Sequence, residues 1–557
     1  MNPSSPPSPW KARREGTVPL EFEWPETFNL CEYFLDHNLA EGRGDKVCIR
    51  SDHGERTYAQ VVEASKRLAA GLRACGVRPE ERVLIVLPDV PEFAEAWFGV
   101  LRAGAVFAMV NPLLKREDYE KYLAYTKARV VFTSADALAE LEPAARAERL
   151  CEVVVVVGST TLADVEDAEL RIVSYETFRD AHEAEAPLAF TEPTRPGDLA
   201  GWLFTSGSTG MPKACVHSHS DFAYSTETYA LRVAGYREDD VCLSVPKLFF
   251  GYATGTNLMF PFRVGATIVL FSERSTADAI VDRVLRYRPT FLTSVPTMIN
   301  LMLRSERLSA EDLSCVRVCL SAGEALPPSL LEEWTERTGV EILDGIGSAE
   351  MFHIYVSNAP GEVRAGTLGR VVPGYEVQIV DAQDRVVKEG EPGRLRVRGG
   401  STALCYWGDR GKSHATFQGE WCTTADIFRR DADGYLVYEG RDDDLLKVSG
   451  IFVSPLEIEN ALLEHPAVDE VCVCGSEDEG GLTKPFAFVV LAGGRRGDGA
   501  LAAELKGFLK ERLAPYKYPR WFAWRPGLPK NDRGKIARKE LRAELESGKR
   551  PSDCSSA

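Results

Sequence analysis

The chain has 557 residues, more than one hydrophobic core usually organises, so two or more domains are expected. Its 44% hydrophobic and 27% charged residues are typical of a soluble globular protein. The formal net charge of -17 argues against a nucleic-acid partner, because phosphate backbones are bound through basic surfaces.

The sequence gives no sign of membrane insertion or export. No stretch approaches the roughly 18 consecutive apolar residues of a membrane span, and the longest pure run, 153–157, is interpreted as a buried strand. Residues 1–14 contain serine, proline and basic residues, but no apolar segment follows them. A secretory signal is therefore not predicted, and a cytoplasmic location is expected.

Thirteen cysteines are scattered along the chain, which favours reduced thiols over a disulfide framework. Two pairs are close in sequence, Cys315 with Cys319 and Cys472 with Cys474. Both pairs lie in strand-like runs without a second pair at metal-binding spacing, so core thiols are expected rather than a zinc site.

Helix and strand patterns alternate over most of the chain after an N-terminal extension at 1–24. Helices are predicted at 58–75, 91–103, 276–288, 296–304 and 327–338, and strands at 82–87, 266–271, 290–295, 316–320 and 340–343. Such alternation predicts mainly parallel sheets covered by helices. We therefore expect an α/β domain at 25–442 with two helix-covered, mainly parallel sheets.

The pattern changes after about residue 375. Short strands at 375–380, 394–398 and 435–438 alternate with Gly- and Asp-rich turns, which predicts a small antiparallel or barrel-like section. Helices at 455–464 and 501–513, with strands at 470–474 and 486–491, then predict a small α+β domain at 443–546. Residues 547–557 are expected to form a disordered tail.

One loop is rich in glycine and hydroxyl groups and follows the strand-like segment 200–204. It consists of Thr205, Ser206, Gly207, Ser208, Thr209, Gly210, Met211, Pro212 and Lys213. The glycines let the backbone approach an anion closely, the hydroxyls donate, and the lysine adds charge, so ATP is the first ligand to consider. The loop lacks the Gly-Lys-Ser/Thr of a Walker motif, which disfavours a P-loop kinase or ATPase. Considered alone, the loop could also be an ordinary polar turn.

Four further clusters follow in order, at 344–350, 420–426, 440–450 and 528–538. Together with the loop they resemble the core motifs of the adenylate-forming superfamily, which includes acyl-CoA synthetases, luciferases and peptide-synthetase adenylation domains. The resemblance covers about residues 25–545. It implies an enzyme that activates a carboxylic acid with ATP to an acyl-AMP and releases pyrophosphate.

The resemblance assigns the catalytic groups. Lys535 matches the mobile lysine that contacts the acyl carboxylate and the α-phosphate, and Lys213 with the loop hydroxyls resembles the cradle for the β- and γ-phosphates. Glu350 matches the glutamate that coordinates Mg²⁺, a role that suits a carboxylate beside phosphate oxygens. Taken singly, Lys535 could be a solvated surface charge and Glu350 an ordinary helix-start carboxylate.

The nucleotide site follows from the same motifs. Asp426 and Arg441 match residues that hydrogen-bond the ribose, although Arg441 could instead form an ion pair at a domain interface. The predicted contacts around adenine and the phosphates are Ala322, Gly323, Glu324, Asp344, Gly345, Ile346, Gly347, Ser348 and Ala349. Ile346 stands where the family usually has an aromatic residue, and Ala349 where it has threonine, which weakens base stacking and removes one phosphate contact.

For the second half-reaction, Asp443 matches the hinge about which the C-terminal domain rotates, with a simple charged linker as the alternative. The resemblance implies that rotation withdraws Lys535 and brings Lys447, Ser449 and Gly450 beside the CoA channel.

Segments 246–255 and 350–355 look like those of benzoate-CoA and related aryl-CoA ligases. A benzoate-sized acid needs a short, flat, apolar pocket, and the predicted lining is Phe250, Gly251, Tyr252, Gly255, Gly345, Gly347, His353 and Ile354. A ring nitrogen of His353 could bond a ring substituent. A satisfied interior histidine is the alternative for His353, and plain core positions are the alternative for Phe250 and Ile354.

The sequence therefore predicts an aryl-CoA ligase that uses ATP, Mg²⁺ and CoA on benzoate, anthranilate or hydroxybenzoate, with anthranilate as the most specific suggestion. A carrier-protein phosphopantetheine thiol could replace CoA, and light emission by a luciferase-like enzyme would share the adenylation step. No membrane partner is expected, and the sequence leaves monomer and homodimer open.

Overall fold

The computed structural model describes most of the chain. The described residues are 20, 22–158, 165–166, 169–205, 213–442, 444–448, 451–478, 482–514, 517–530, 536–546 and 554–556. The predicted site residues Ser206, Gly207, Ser208, Thr209, Gly210, Asp443, Ser449, Gly450 and Lys535 lie outside them.

The first of two nine-stranded sheets carries the predicted adenine and acid segments. In order across the sheet its strands are Arg370–Val371, Ile354–Ser357, Ile342–Gly347, Val318–Ala322, Phe291–Ser294, Val241–Ser244, Thr267–Leu270, Val47–Ser51 and Gly54–Thr57. The inner pairs are parallel and both edges are antiparallel.

The second nine-stranded sheet carries the ends of the predicted phosphate loop. Its strands, in order, are Cys405–Tyr406, Lys213–Ser218, Leu199–Thr205, Val106–Met109, Arg82–Val86, Val130–Ser134, Val153–Val157, Arg171–Ser174 and Val165–Glu166. Its inner pairs are parallel and its edges antiparallel.

Helical segments connect these strands. They span Glu32–Asp36, His37–Ala40, Tyr58–Ala74, Pro91–Arg102, Arg116–Thr126, Ala135–Ala147, Tyr175–Asp180, His219–Ser225, Thr226–Ala234, Gly251–Thr254, Gly255–Met259, Phe260–Val264, Ala277–Tyr287, Pro296–Leu303, Ala310–Leu313, Pro328–Thr338, Ala349–Met351 and Arg410–Thr416. Their boundaries follow local chemistry. Thr57 and Gln60 form a capping box at the start of Tyr58–Ala74, and Pro91 occupies the first turn of the next helix.

Apolar residues on both faces of the sheets explain the helix cover. In the strand Arg82–Val86, Val83 and Ile85 join the large cluster that also contains residues of the first sheet, whereas Leu84 and Val86 join a second cluster. Successive side chains of a strand point to opposite faces, so both faces are buried. The prediction of two helix-covered, mainly parallel sheets is confirmed.

A third sheet is fully antiparallel, as the short alternating runs predict. It contains Glu376–Val380, Gly393–Arg398, Trp421–Arg430, Phe417–Gln418 and Leu436–Arg441. The C-terminal part has the hairpin Leu446–Val448 and Ile451–Val453, a sheet of Val468–Glu477, Thr483–Leu491, Trp521–Arg525 and Cys554–Ser556, and the helical segments Pro455–Leu463, Ala492–Gly494, Gly499–Lys510 and Arg538–Glu546. Its α+β content agrees with the prediction.

Two predicted boundaries differ from the structure. Leu20 and Phe22 are buried in the main cluster, and the Phe22 ring lies 5.4 Å from that of Tyr224, so the packed domain extends to residue 20 instead of beginning at 25. Cys554–Ser556 pairs with Trp521–Arg525. The tail is therefore not disordered at these three residues, because they add an edge strand to the C-terminal sheet.

Three of the four paired cysteines are core thiols as expected, since Cys319, Cys472 and Cys474 are buried within apolar clusters. Cys315 is only half-buried, packed against the cluster that contains Cys319. Of the helices in the described ranges, none combines the length and apolar character needed to cross a membrane.

Candidate functional site

The two ends of the predicted phosphate loop are held side by side. Thr205 ends the strand Leu199–Thr205, Lys213 begins the strand Lys213–Ser218, and the two residues are Cα partners in an antiparallel pair. The Lys213 ammonium lies 5.6 Å from the centroid of the Tyr406 ring. The hairpin thus places Lys213 at the mouth of the loop, by which we mean the point where its two ends, Thr205 and Lys213, lie side by side.

Glu350 is tied to the same tyrosine. It lies in the helical turn Ala349–Met351, and the Tyr406 hydroxyl donates to its Oε1 at 2.6 Å. Burial and the negative charge of Glu350 raise the pKa of Tyr406 well above its usual range, so the phenol keeps its proton and remains a donor. Tyr406 therefore fixes one oxygen of the predicted metal ligand.

A buried histidine anchors the turn that carries Glu350. His217 Nδ1 lies 2.9 Å from Asp221 Oδ2, and its Nε2 lies 2.7 Å from the carbonyl oxygen of Ala349. Because a carbonyl oxygen only accepts, Nε2 is the donor. Lys213 and His217 occupy even-spaced positions of one strand and so share a face. One strand therefore serves both the loop mouth and the Glu350 turn.

Several charges converge at the loop mouth. Burial, and then the positive charge of Lys412, lower the pKa of Lys213, while Glu350 and Asp409 act in the opposite direction. The Lys412 ammonium lies 3.6 Å from Asp409 Oδ2. Two ammonium groups beside two carboxylates suit a polyanion that arrives with a divalent cation.

The segment predicted to flank adenine lies at the carboxyl ends of neighbouring parallel strands. Asp344 is the Cα partner of Ser321, and Gly345 that of Ala322. Gly323 follows with φ +88°, a backbone conformation that favours glycine at this turn. The carboxylate of Glu324 accepts from the Thr297 hydroxyl at 2.8 Å, so it is held by a helix N-terminus.

Asp344 is buried, with 3% of its surface exposed. Burial raises its pKa from 3.8 to about 8, and its Oδ1 has no hydrogen-bond partner among the described residues. A buried carboxyl with a free acceptor or donor position can recognise an amino group on a bound base.

The predicted ribose residues form a cross-strand pair in the third sheet. Asp426 and Arg441 are Cα partners, and Arg441 Nη1 lies 3.7 Å from Asp426 Oδ1. Arg441 keeps 52% of its side chain exposed, and Asp426 14%. Burial raises the pKa of Tyr355, and the negative charges of Asp426 and Glu350 act in the same direction.

The acid end of the site is built around His353. Its ring is buried, and Nε2 lies 3.1 Å from the carbonyl oxygen of Tyr252. Burial lowers the pKa of His353 to about 3, so the ring is neutral. Nε2 must carry the proton to donate to the carbonyl, which leaves Nδ1 as an acceptor without a partner in the described part of the chain.

Close backbone approaches explain the glycines near His353. A Cβ on Gly255 would stand 2.5 Å from His353 Cδ2, and one on Gly347 would stand 2.5 Å from the His353 carbonyl oxygen. A Cβ on Gly345 would stand 2.8 Å from the carbonyl oxygen of Val356. These glycines are thus required by packing, whatever they contact in a substrate.

The remaining predicted acid-pocket residues divide into two groups. Phe250, Gly251 and Tyr252 are half-buried, and the Phe250 ring lies 4.3 Å from that of Phe249. Ile354 is 2% exposed within the main apolar cluster, which agrees with its alternative interpretation as a core residue.

A strained turn separates the two ends of the site. Phe352 has φ +63°, a region that residues with a side chain rarely adopt, and it is buried in the main cluster. Glu350, the predicted metal ligand, lies before this turn, and His353, a predicted acid-pocket residue, follows it. One short segment therefore carries residues predicted for both ends of the site.

The CoA segment is only partly described. Lys447 is the Cα partner of Phe452 in the hairpin that follows the predicted hinge. Lys530 and Ile536 form a β-bridge that brackets residues 531–535.

Sequence reasoning missed Tyr406, His217 and Lys412. Strand periodicity from Lys213 could have indicated His217, but no local pattern connects Tyr406 to Glu350 because they are far apart in the chain.

As a metal site, Glu350 fits Mg²⁺ in the mode that uses a single protein carboxylate with phosphate oxygens and water. In the described segments, no group of three or more His, Cys, Asp or Glu residues is placed to hold a metal alone.

Comparisons with known proteins identify the family of this chain. The family described as AMP-binding enzyme matches residues 36–407, and that described as AMP-binding enzyme C-terminal domain matches residues 457–535. The chain is 41% identical over 528 residues to a benzoate–CoA ligase of Thauera aromatica, covering 94% of this chain and 98% of that protein.

Two solved structures are similar over most of their length. A benzoate CoA ligase from Burkholderia xenovorans LB400 has a TM-score of 0.84 and 42% identity, with 92% of this chain and 100% of that chain covered. An anthranilate CoA ligase in complex with anthranoyl-AMP has a TM-score of 0.88 and 36% identity, with 94% and 98% covered.

Proposed function

Because this chain belongs to the AMP-binding enzyme family, we propose that it is an ATP-dependent aryl acid–CoA ligase. The observation that carries the proposal is the convergence of Lys213, Glu350 and Tyr406 at the mouth of the loop. Relatives named benzoate–CoA ligase match nearly the whole chain, which supports an aryl acid and CoA as substrates.

In the first half-reaction an aryl carboxylate oxygen attacks the α-phosphorus of ATP. A new oxygen–phosphorus bond forms, the bond to the β-phosphate breaks, and pyrophosphate leaves with aryl-AMP as the product. Both reactants are anionic, so catalysis requires cations that screen their repulsion and hold them in line. Lys535 serves the carboxylate and α-phosphate, while Lys213 and the loop hydroxyls of Thr205, Ser206, Ser208 and Thr209 serve the departing pyrophosphate.

The remaining residues bind the nucleotide. Asp426 and Arg441 hold the ribose hydroxyls, and Asp344 with the turn at 322–324 recognises adenine. Glu350 would hold Mg²⁺, which supplies neutralising charge to the phosphate oxygens when bound. Tyr406 and His217 keep Glu350 and its turn in place.

In the second half-reaction the CoA thiolate attacks the acyl carbon of aryl-AMP. The carbon–sulfur bond forms, the acyl carbon–oxygen bond breaks, and AMP leaves with the aryl thioester as the product. Rotation of the C-terminal domain about Asp443 replaces Lys535 with the segment of Lys447, Ser449 and Gly450. A carrier-protein thiol is less well supported, since two relatives that match more than 90% of this chain, at 41% and 40% identity, are named CoA ligases.

The acid pocket favours a small aromatic acid. The Tyr252 carbonyl and Gly255 lie against His353, whose Nδ1 offers a buried acceptor. A ring substituent that donates, such as an amino or hydroxyl group, would satisfy this acceptor, and benzoate itself would not.

The direct test is thioester formation by the purified protein. We expect incubation with ATP, Mg²⁺, CoA and either benzoate, anthranilate or hydroxybenzoate to yield the aryl-CoA mass, with AMP and pyrophosphate in equal amounts. A long-chain fatty acid serves as the control acid. Formation of ADP, or no aryl-CoA from any member of the panel, would exclude the proposal.

A further inference from the structure

An ion network in the C-terminal domain connects the chain just after the predicted hinge with the chain just after Lys535. Its centre is Arg538, the first residue of the helix Arg538–Glu546, whose side chain is 20% exposed. Arg538 Nη1 lies 2.7 Å from Glu459 Oε1, and the same nitrogen donates to the Val473 carbonyl oxygen at 2.5 Å. Nη2 donates to Glu459 Oε2 at 3.0 Å.

Glu459 is the fixed partner of this arginine. It is 6% exposed on the helix Pro455–Leu463, and its Oε1 also accepts from the Val473 backbone N–H at 2.6 Å. A carboxylate held in this way binds a guanidinium in a defined two-pronged orientation, which lysine cannot reproduce. The position of Arg538 is thereby set by the helix Pro455–Leu463 and by the edge strand Val468–Glu477 of its own domain.

Asp444 extends the network to the hinge. Its Oδ2 lies 3.8 Å from Arg538 Nε, and its Oδ1 accepts from Arg542 Nη2 at 2.6 Å. Its backbone N–H donates to the carbonyl oxygen of Arg441 at 3.0 Å. Asp444 thus connects the turn that carries the predicted ribose arginine with two arginines of the last helix.

The other end of the network is close to Lys535 in the sequence. Arg538 follows Lys535 by three residues, a separation of at most about 11 Å between Cα atoms. Lys530 and Ile536 form a β-bridge, and Ala537 donates its N–H to the Pro529 carbonyl oxygen at 2.8 Å. Ile536 and Ala537, which join Lys535 to Arg538 in the sequence, are therefore held by backbone contacts to Lys530 and Pro529.

We propose that Arg538 is a positioning residue which, with Asp444, holds the Lys535 segment in register with the hinge. Rotation of the domain then delivers Lys535 to the acyl carboxylate and α-phosphate at a defined place. Arg538 acts through Lys535 and not on the substrate. The inference rests on the proposed function, since it requires Lys535 to serve adenylation.

The test compares the two half-reactions in full-length Arg538→Gln, Asp444→Asn and the double variant. We expect each single change to lower acid-dependent ATP–pyrophosphate exchange at least tenfold, while thiolysis of supplied aryl-AMP by CoA stays within threefold of wild type. The double variant should be little worse than the poorer single variant, because both changes break one connection. As the matched control, Arg525→Gln breaks the Arg525–Glu544 ion pair of the same domain and should leave both rates within twofold.

Three results would overturn the inference: unchanged exchange in both single variants, equal fold-losses in the two half-reactions, or losses that merely follow a lowered Tm. Lys535→Ala is measured in parallel. If Lys535→Ala retains exchange, the role of Lys535 in the proposed function fails, and the inference about Arg538 fails with it. If Lys535→Ala abolishes exchange but Arg538→Gln does not lower exchange, only the inference about Arg538 fails. Should Arg538→Gln not fold, Arg538→Lys and Asp444→Asn carry the same comparison.

Discussion

The hydroxyl of Tyr406 provides the sharpest test of how Glu350 is held. Tyr406→Phe removes only the oxygen that donates to Glu350 Oε1 at 2.6 Å. The ring remains, so its contact with Phe417, at 5.2 Å between centroids, and its position below the Lys213 ammonium should persist. The substitution therefore isolates one hydrogen bond.

Hydrogen bonds to charged groups contribute about 1.5–3 kcal/mol, and each 1.4 kcal/mol corresponds to about a tenfold change. If Glu350 orients Mg²⁺–ATP, the variant should lose roughly 10- to 150-fold in kcat/KM for Mg²⁺–ATP by the same conversion. The Mg²⁺ concentration for half-maximal rate should also rise, because a freely rotating carboxylate binds the ion less well.

The assay is acid-dependent ATP–pyrophosphate exchange at a series of Mg²⁺ concentrations, with Tm measured for each protein. Tyr435→Phe is the control, since that exposed hydroxyl donates to the Glu362 carbonyl oxygen at 3.2 Å, away from the site. Wild-type exchange and an unchanged Mg²⁺ dependence in Tyr406→Phe would refute the reasoning.

Three further predictions concern the buried polar groups and the glycines of the site. Burial raises the pKa of native Asp344 to about 8 from its ordinary 3.8, so the stability that its proton confers is complete below about pH 4 and is lost as the pH rises towards 8. The Tm of Asp344→Asn should therefore rise relative to that of wild type between pH 5 and pH 9. A difference in Tm that does not change with pH would contradict this. Gly255→Ala places a Cβ 2.5 Å from His353 Cδ2, so we expect the free energy of unfolding to fall by about 1–3 kcal/mol and the KM for the acid to rise. The control is Gly507→Ala, where the new Cβ meets open space on a helix and should not lower Tm. His353→Leu removes a neutral acceptor and should raise the KM of anthranilate about tenfold relative to that of benzoate, while equal changes for both acids would exclude a bond from His353 to the substituent.

Local chemistry made many elements predictable. The run 153–157 consists of five valines, and the strand Val153–Val157 has those bounds. The helix predicted at 276–288 is observed as Ala277–Tyr287, because the Thr276 side chain caps its start and Arg288 ends it in a left-handed conformation. The periodicity of apolar residues was therefore sufficient to predict an element where capping residues or runs of β-branched residues indicated the same bounds.

Tertiary contacts account for what could not be predicted. Phe22 packs on Tyr224, far along the chain, so no local signal shows that the N-terminal extension joins the core. Cys554–Ser556 pairs with a strand whose edge the sequence does not reveal. The packing of Phe22 and the pairing of Cys554–Ser556 both depend on which apolar surface and which strand edge remain uncovered once the rest of the chain has folded.

The site was predicted at the level of motifs and not of contacts. Glycine-rich and acidic clusters pointed to Lys213, Glu350 and Asp426, but the shared tyrosine that fixes Glu350 follows only from the pairing of Cys405–Tyr406 with the Lys213 strand. The role of His353 in an acid pocket stays a prediction, whereas its neutral state follows from its burial, and its Nδ1 has no partner in the described part of the chain.

The central claim is that an aryl carboxylate attacks the α-phosphorus of ATP. Benzoate labelled with ¹⁸O in both carboxyl oxygens, turned over with ATP and CoA, tests this directly by mass analysis of the nucleotide product. If the carboxylate is the nucleophile, AMP will carry one ¹⁸O atom, pyrophosphate will be unlabelled, and benzoyl-CoA will retain the other ¹⁸O. Unlabelled AMP, or label in inorganic phosphate, would contradict it.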